Sequence, residues 1–121
     1  MIDTPKTNQE IRKWYLDELA EIPKLNKKWK LEGISLAERA KLAWKYRHDR
    51  RRMARSFMQS KVEIEQLRAR DVVIYGSPNG PTFAFLKKRL KAEGLTENEI
   101  FEAIIQGSYR TNAGVDKKLG F

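Results

Sequence analysis

The chain contains no cysteine, so neither disulfide bonds nor thiolate-bound metal ions can hold its fold together. No apolar run approaches the ~20 residues that a bilayer-spanning helix needs. The N-terminal sequence MIDTPKTNQE is polar where a signal peptide would be apolar. We therefore expect no transmembrane segment and no export signal, and a fold that depends on packing and on well-capped helix ends.

Acidic residues are in the minority, because 16 Asp and Glu stand against 25 Lys and Arg and give a net charge of +9. This excess favours polyanionic partners by long-range attraction, but it does not choose between nucleic acid, an anionic membrane surface and an acidic protein. The 121 residues, with three Trp, four Tyr and five Phe, are enough for one packed core and too few for two.

Strand patterns are also scarce: no window alternates polar and apolar residues, and the run Val72-Val73-Ile74 lies inside a helical pattern. Helix starts are frequent. A Ser or Thr followed by Glu three residues later, the capping-box pattern, precedes four segments with helical apolar spacing. We predict an all-α, single compact domain of six or seven helices, four of which open at Thr7/Glu10, Ser35/Glu38, Ser60/Glu63 and Thr96/Glu99.

The remaining helices are defined by proline, threonine and glycine. Pro23 suits the first turn of a helix that ends at Gly33, and a further helix should start near Thr82 and stop at Gly94. The stretch GSPNGPT, residues 76 to 82, has two Pro and two Gly and predicts a rigid turn. That turn either displays backbone groups for a function or is a plain corner between helices.

The central helix carries arginines on its buried side. On a helical wheel, Arg47 and Arg51 fall in the sector that also holds the apolar positions Leu36, Ala40, Ala43, Ala54 and Met58. A desolvated guanidinium needs an anion. Asp71 is the internal candidate, since it shares a helix face with Ile64, Leu67 and Tyr75. The two interrupted faces predict either a buried ion pair or the wall of a polar cleft.

The cleft interpretation predicts a phosphate site. Arg47, Arg51 and Arg55 would bind phosphate, since guanidinium groups fork onto phosphate oxygens, and would stabilise the charge of the transition state. Asp71 would orient an arginine or the histidine, which places it with Arg47 and Arg51 in the predicted catalytic set. His48, the single histidine, sits at the edge of the stripe and would act as acid and base, unless it is incidental. One histidine and no ligand-like spacing predict no metal and no cofactor. Further substrate contacts are predicted at Tyr75, Arg110, Asn112 and Lys117; Asn112 also suits a helix cap and Lys117 a solvated charge.

Three stretches resemble the small C-terminal toxin modules of bacterial polymorphic toxins of the Rhs, contact-dependent inhibition and type VI secretion kinds. They are RAKLAWKYRHDRRRMAR (39 to 55), LRARDVVIYGSPNGPTFAFL (67 to 86) and EAIIQGSYRTNAGVDKKLG (102 to 120). The resemblance implies a toxin domain over residues 31 to 121, with residues 1 to 30 a helical segment or a linker to a delivery protein. It also implies injection into the cytoplasm of a competing bacterium, and neutralisation by a cognate immunity protein, expected to be acidic.

Together these observations favour an antibacterial toxin domain that acts as a nuclease. RNA is favoured over DNA because no metal site is visible in the sequence. Two alternatives stay open: a helical module that binds nucleic acid without cleaving it, and a toxin that modifies a protein or a small nucleotide.

Overall fold

The computed structural model describes residues 4–109 and 114–121, and within these ranges it contains seven α-helices and no strand. The prediction of an all-α domain with six or seven helices is confirmed. The helices are α1 (Asn8–Leu19), α2 (Glu21–Leu31), α3 (Leu36–Phe57), α4 (Lys61–Tyr75), α5 (Phe83–Ala92), α6 (Glu97–Gln106) and α7 (Gly114–Lys118). In the described part of the chain, no helix is long and apolar enough to cross a membrane.

The four predicted helix starts are confirmed. Each Ser or Thr hydroxyl accepts a hydrogen bond from the backbone amide three residues later, which satisfies one of the donors left free in the first helical turn. Of the four, Thr96 and Glu99 close the capping box in both directions. Glu10 instead accepts from the amide of Lys6. Thr82 caps α5 as expected, accepting from the amide of Phe85.

The long helix α3 joins two apolar clusters, one along each half of its length. Alanines at the contact positions let neighbouring helices approach closely. The first cluster consists of Ile22, Ala40, Ala43, Leu90, Ile100, Phe101, Ile104 and Ile105. The second consists of Ile11, Tyr15, Ala54, Met58, Leu67, Val115 and Leu119. Helix α3 also carries several arginines. The same helix therefore contributes both to the two apolar clusters and to a polar network.

The N-terminal helices pack onto this framework. Ile11 and Tyr15 of α1 and Ile22 of α2 are buried in the two clusters. Only Ala20 separates the two helices, and it caps both of them. Within residues 1 to 30, the described part therefore forms two helices whose apolar faces are covered by the rest of the domain.

The short helix α7 is held by polar contacts as well as by burial. Lys118 forms an ion pair with Glu63 of α4 at 2.8 Å. Arg12 of α1 donates to the carbonyl oxygen of Leu119 at 2.8 Å. Val115 and Leu119 are buried in the second cluster. These contacts join α7 to α1, α3 and α4. They also stabilise α7 itself, because a helix of five residues is not stable by intrinsic propensity alone.

Candidate anion-binding site

Arg47 serves a structural role at the end of α6. Its guanidinium donates to the carbonyl oxygens of Ile104 and Ile105, two of the carbonyls that a helix C-terminus leaves without intrahelical partners. Gly107 ends α6 with a positive φ of 68°. A Cβ at this position would lie 2.6 Å from Nη2 of Arg47, so glycine is required for the backbone angle and for the close approach.

Arg51 is paired with Asp116 of α7. Arg51 Nη2 lies 2.8 Å from one carboxylate oxygen of Asp116, and Nε lies 3.4 Å from the other. Both side chains are buried. Burial disfavours the charge on Arg51, but the Asp116 carboxylate, together with Tyr15 and Tyr109, raises the pKa of the guanidinium. Tyr15 also hydrogen-bonds to Asp116, and its pKa is raised, mainly by burial.

Arg55 is paired with Asp71, the acid that the sequence marked as an internal partner. Asp71 is fully buried; it accepts from Nη2 of Arg55 and, at 2.6 Å, from the amide of Gly114. Arg55 also donates to the carbonyl oxygen of Pro78. The carboxylate thus connects α3, α4 and α7. Arg55 lies outside the apolar sector that holds Arg47 and Arg51 on the helical wheel, yet it is only 5% exposed.

Beside Arg55, an open groove lies between the C-terminal half of α3 and α4. Its volume is about 400 Å³. Among the described residues, six line it, three of them arginines and none of them acidic: Arg52, Arg55, Ser56, Ile64, Arg68 and Asn79. We call it the arginine groove. Arg52 and Arg68 are exposed, and neither forms an ion pair with any residue that the structure describes.

The unpaired donor and the crowded positive charges of the arginine groove favour the binding of an anion. Nε of Arg55 is buried and has no hydrogen-bond acceptor in the part of the chain that the structure describes. Burial lowers the pKa of Arg55, an effect that Asp71 opposes and that the charges of Arg51 and Arg68 reinforce. Like charges that crowd together in this way are stabilised when an anion enters between them.

The loop of residues 76 to 82 forms one rim of the groove and is attached to α3 at two points. Trp44 donates from Nε1 to the carbonyl oxygen of Pro81 at 3.3 Å, and Arg55 bonds to Pro78. Within the loop, the amide of Asn79 donates to the hydroxyl of Ser77 at 3.3 Å. These contacts confirm a tight turn and hold Asn79 against the groove.

His48 lies on the same face of α3 as the groove arginines, because Arg52 and Arg55 follow it by four and seven residues. Its ring stacks on Trp44 with a centroid distance of 5.0 Å. Burial lowers the pKa of His48 below 6.5, and the positive charges of Arg51, Arg52 and Arg55 lower it further, against the opposing effect of Asp49. The imidazole is therefore neutral at pH 7, in the form that can accept a proton.

The other predicted site residues are dispersed. Tyr75 is buried, packs edge to face on Phe85 at 5.6 Å, and its hydroxyl has no hydrogen-bond partner. Lys117 is exposed on α7. Arg110 and Asn112 lie outside the described residues. In the two described ranges, no three His, Asp or Glu side chains come together in a metal-ligating cluster.

Three important residues were not singled out from the sequence. Arg52 is one of three consecutive arginines, and Arg68 lies off the buried face of its helix, so neither carries a distinguishing local signal. Asp116 is 65 residues from its partner Arg51. An isolated acid beside two lysines in a short C-terminal segment reads as solvated, and only the packing of α7 shows otherwise.

Comparison of the chain with protein-family models, with curated proteins and with solved structures gave no match. The functional assignment therefore depends on the arginine groove, on His48 and on the resemblance to toxin modules.

Proposed function

We propose that the domain is the nucleic-acid-directed part of an antibacterial toxin and that it binds a phosphate group of its substrate in the arginine groove. The single observation that carries this proposal is that the groove gathers three guanidinium groups, of which only Arg55 has a carboxylate partner among the described residues. The net charge of +9 adds long-range attraction for a polyanion.

In this proposal, the interior arginines and the groove arginines have different tasks. Arg47, Arg51 and Asp71 hold α3 against α6, α7 and α4. Arg52 of α3 and Arg68 of α4 both line the groove and would contact the ligand from two helices. Guanidinium groups fixed on two helices can donate paired hydrogen bonds to phosphate oxygens, which adds geometry to charge attraction.

Neutralising the two exposed groove arginines, in Arg52→Gln with Arg68→Gln, should weaken binding of a 2′-O-methylated single-stranded RNA by about ten-fold or more. The slope of log affinity against log salt should fall by about two, since two phosphate contacts are lost. Fluorescence anisotropy over a range of salt concentrations measures both quantities. Both side chains are exposed, so the fold should be unchanged by circular dichroism.

The matched control is Arg70→Gln. Arg70 is an exposed arginine of α4 that does not line the groove. The Arg70→Gln substitution removes the same kind of charge from the same helix as Arg68→Gln does. If Arg70→Gln weakens binding as much as Arg68→Gln does, the attraction is diffuse and the groove is not the binding site.

His48 favours a second step, cleavage of the bound RNA. It lies one helical turn from Arg52 and is neutral at pH 7. In this step, His48 removes the proton of a 2′-hydroxyl, the 2′-oxygen forms a bond to phosphorus, and the bond from phosphorus to the 5′-oxygen breaks. The products are a 2′,3′-cyclic phosphate and a 5′-hydroxyl, whose proton comes from solvent. The positive charges around His48, those of Arg51, Arg52 and Arg55, stabilise the added charge on phosphorus in the transition state.

Replacing His48 by glutamine should lower the rate of RNA cleavage by about 10²- to 10⁴-fold, the usual contribution of a general base, and leave RNA affinity unchanged. The wild-type rate should fall in acid with a midpoint below pH 6.5, because the pKa of His48 is lowered and the base form persists to that pH. Gel electrophoresis of cleavage products over a pH series tests both. Binding without any product would identify the domain as a non-enzymatic nucleic-acid module.

The cellular role follows from the resemblance to polymorphic toxin modules. Under this proposal, expression of the domain in bacteria arrests growth, and an acidic immunity protein prevents the arrest. The groove variant should lose toxicity and Arg70→Gln should keep it. Arrest with intact RNA but a modified protein or nucleotide pool would place the toxin in a different substrate class.

A further inference from the structure

We propose that the arginine groove takes a doubly charged phosphate, the terminal phosphomonoester at the end of a nucleic-acid strand, rather than an internal phosphodiester. This inference rests on the proposed function, since it names the part of the nucleic acid that the groove binds. It is carried by the charge and the shape of the groove.

The charge of the groove fits a dianion. Three guanidinium groups line it, and the Asp71 carboxylate neutralises one, which leaves about two positive charges without a described acidic partner. Asp49 shares a separate surface depression with Arg52 and does not line the groove. A phosphomonoester carries about −1.5 to −2 charges at pH 7, whereas a diester carries one. The monoester therefore matches the charge of the groove more closely.

The number of donors points the same way. A terminal phosphate presents three free oxygens, and an internal diester presents two. Arg52 and Arg55 of α3 and Arg68 of α4 all line the groove, and the buried Nε of Arg55 has no hydrogen-bond partner among the described residues. Donors that come from two helices, one of them buried and unpaired, suit a group with several free oxygens. Ile64 supplies an apolar surface beside them, against which the adjoining sugar or base can pack.

A free mononucleotide carries the same terminal group, and the surroundings of the groove favour a strand. Lys61 is an exposed cation of α4 outside the groove, three residues before Ile64 and seven before Arg68, so it lies on the same face of the helix. It can attract the diesters that follow a strand end but gains nothing from a mononucleotide. The strand end should therefore bind more tightly than the isolated nucleotide.

The experiment compares three single-stranded, 2′-O-methylated RNA oligonucleotides of one sequence: one with hydroxyl groups at both ends, one with a 5′-phosphate and one with a 3′-phosphate. We expect one phosphorylated form to bind about ten-fold more tightly than the hydroxyl form, as a few charge-assisted hydrogen bonds would give. Arg68→Gln should abolish this preference. Arg70→Gln should lower the affinity for all three forms alike and leave the preference intact.

Equal affinity for the three forms, with binding that still depends on Arg52 and Arg68, would overturn the terminal-phosphate inference and leave the proposed function standing. Failure of all three to bind would overturn the proposed function itself, and the inference with it. A nucleoside 5′-monophosphate tested in parallel distinguishes the two sources. If it binds as tightly as the best strand, the groove is a mononucleotide site and the strand-end proposal is wrong.

Discussion

Replacing Asp71 by alanine should lower the free energy of unfolding by about 3 to 5 kcal/mol, the cost of leaving a buried charge without its partner. The carboxylate is fully buried and is bonded to Arg55 and to the amide of Gly114. Its removal leaves both donors unsatisfied and separates α4 from α3 and α7 at one point. Urea denaturation followed by circular dichroism measures the change.

Asp17→Ala provides the control for this measurement. Asp17 forms an exposed ion pair with Lys13, one helical turn away, and such pairs contribute little to stability. The control should therefore change the unfolding free energy by less than about 0.5 kcal/mol. If Asp71→Ala lowers the unfolding free energy as little as the control does, then Asp71 does not hold the helices together and does not support the arginine groove.

The second large effect concerns the Arg51–Asp116 pair. Asp116→Ala should also cost about 3 to 5 kcal/mol, because Arg51 stays charged when buried and Tyr15 loses a hydrogen-bond partner. Replacing both members of the pair, in Arg51→Met with Asp116→Leu, should recover most of this loss. A buried ion pair can be exchanged for apolar side chains of similar size, whereas a single unpaired charge cannot be accommodated.

A double-mutant cycle over Arg51→Met, Asp116→Leu and the double variant gives the coupling energy between the two residues. A coupling near zero would show that the two charges are solvated separately, in contradiction to their burial. The same variants also bear on function. Neither residue lines the arginine groove, so the double variant should retain RNA binding if it is folded.

These two networks explain how a basic domain of this size holds guanidinium groups in fixed positions. Asp71 holds Arg55 at the buried side of the groove, and Asp116 holds Arg51 one turn earlier on α3. The loop of residues 76 to 82 completes the rim because Trp44 and Arg55 bond to its carbonyl groups. The buried acids therefore hold arginine side chains in place, although neither acid lines the groove.

Much of the fold could be predicted because its signals are local. A hydroxyl that caps a helix needs only the three residues that follow it, so Thr7, Ser35, Ser60 and Thr96 were recognisable from the sequence. The inward direction of Arg51 was recognisable too, because a helical wheel depends on nothing beyond the helix itself. Asp71 was found in the same way, as a polar break in an apolar face.

The partners of these residues could not be predicted, because they are far apart along the chain. Asp71 was matched with the inward arginines of the central stripe, but it binds Arg55, and Arg51 binds Asp116 instead. The run Val72-Val73-Ile74 shows the same limit. It is helical as expected, yet all three side chains are exposed, because α4 packs on its neighbours through Leu67, Asp71 and Tyr75.

Local sequence was enough to define the helices, their starting residues, the positive charge and the need of an inward arginine for an anion. These properties follow from contacts within a few residues or from composition alone. Only the packing of the helices establishes which acid pairs with which arginine, and which arginines face solvent at the groove. These pairs depend on how α3, α4 and α7 pack, since charges distant in sequence meet only when the apolar faces between them are buried.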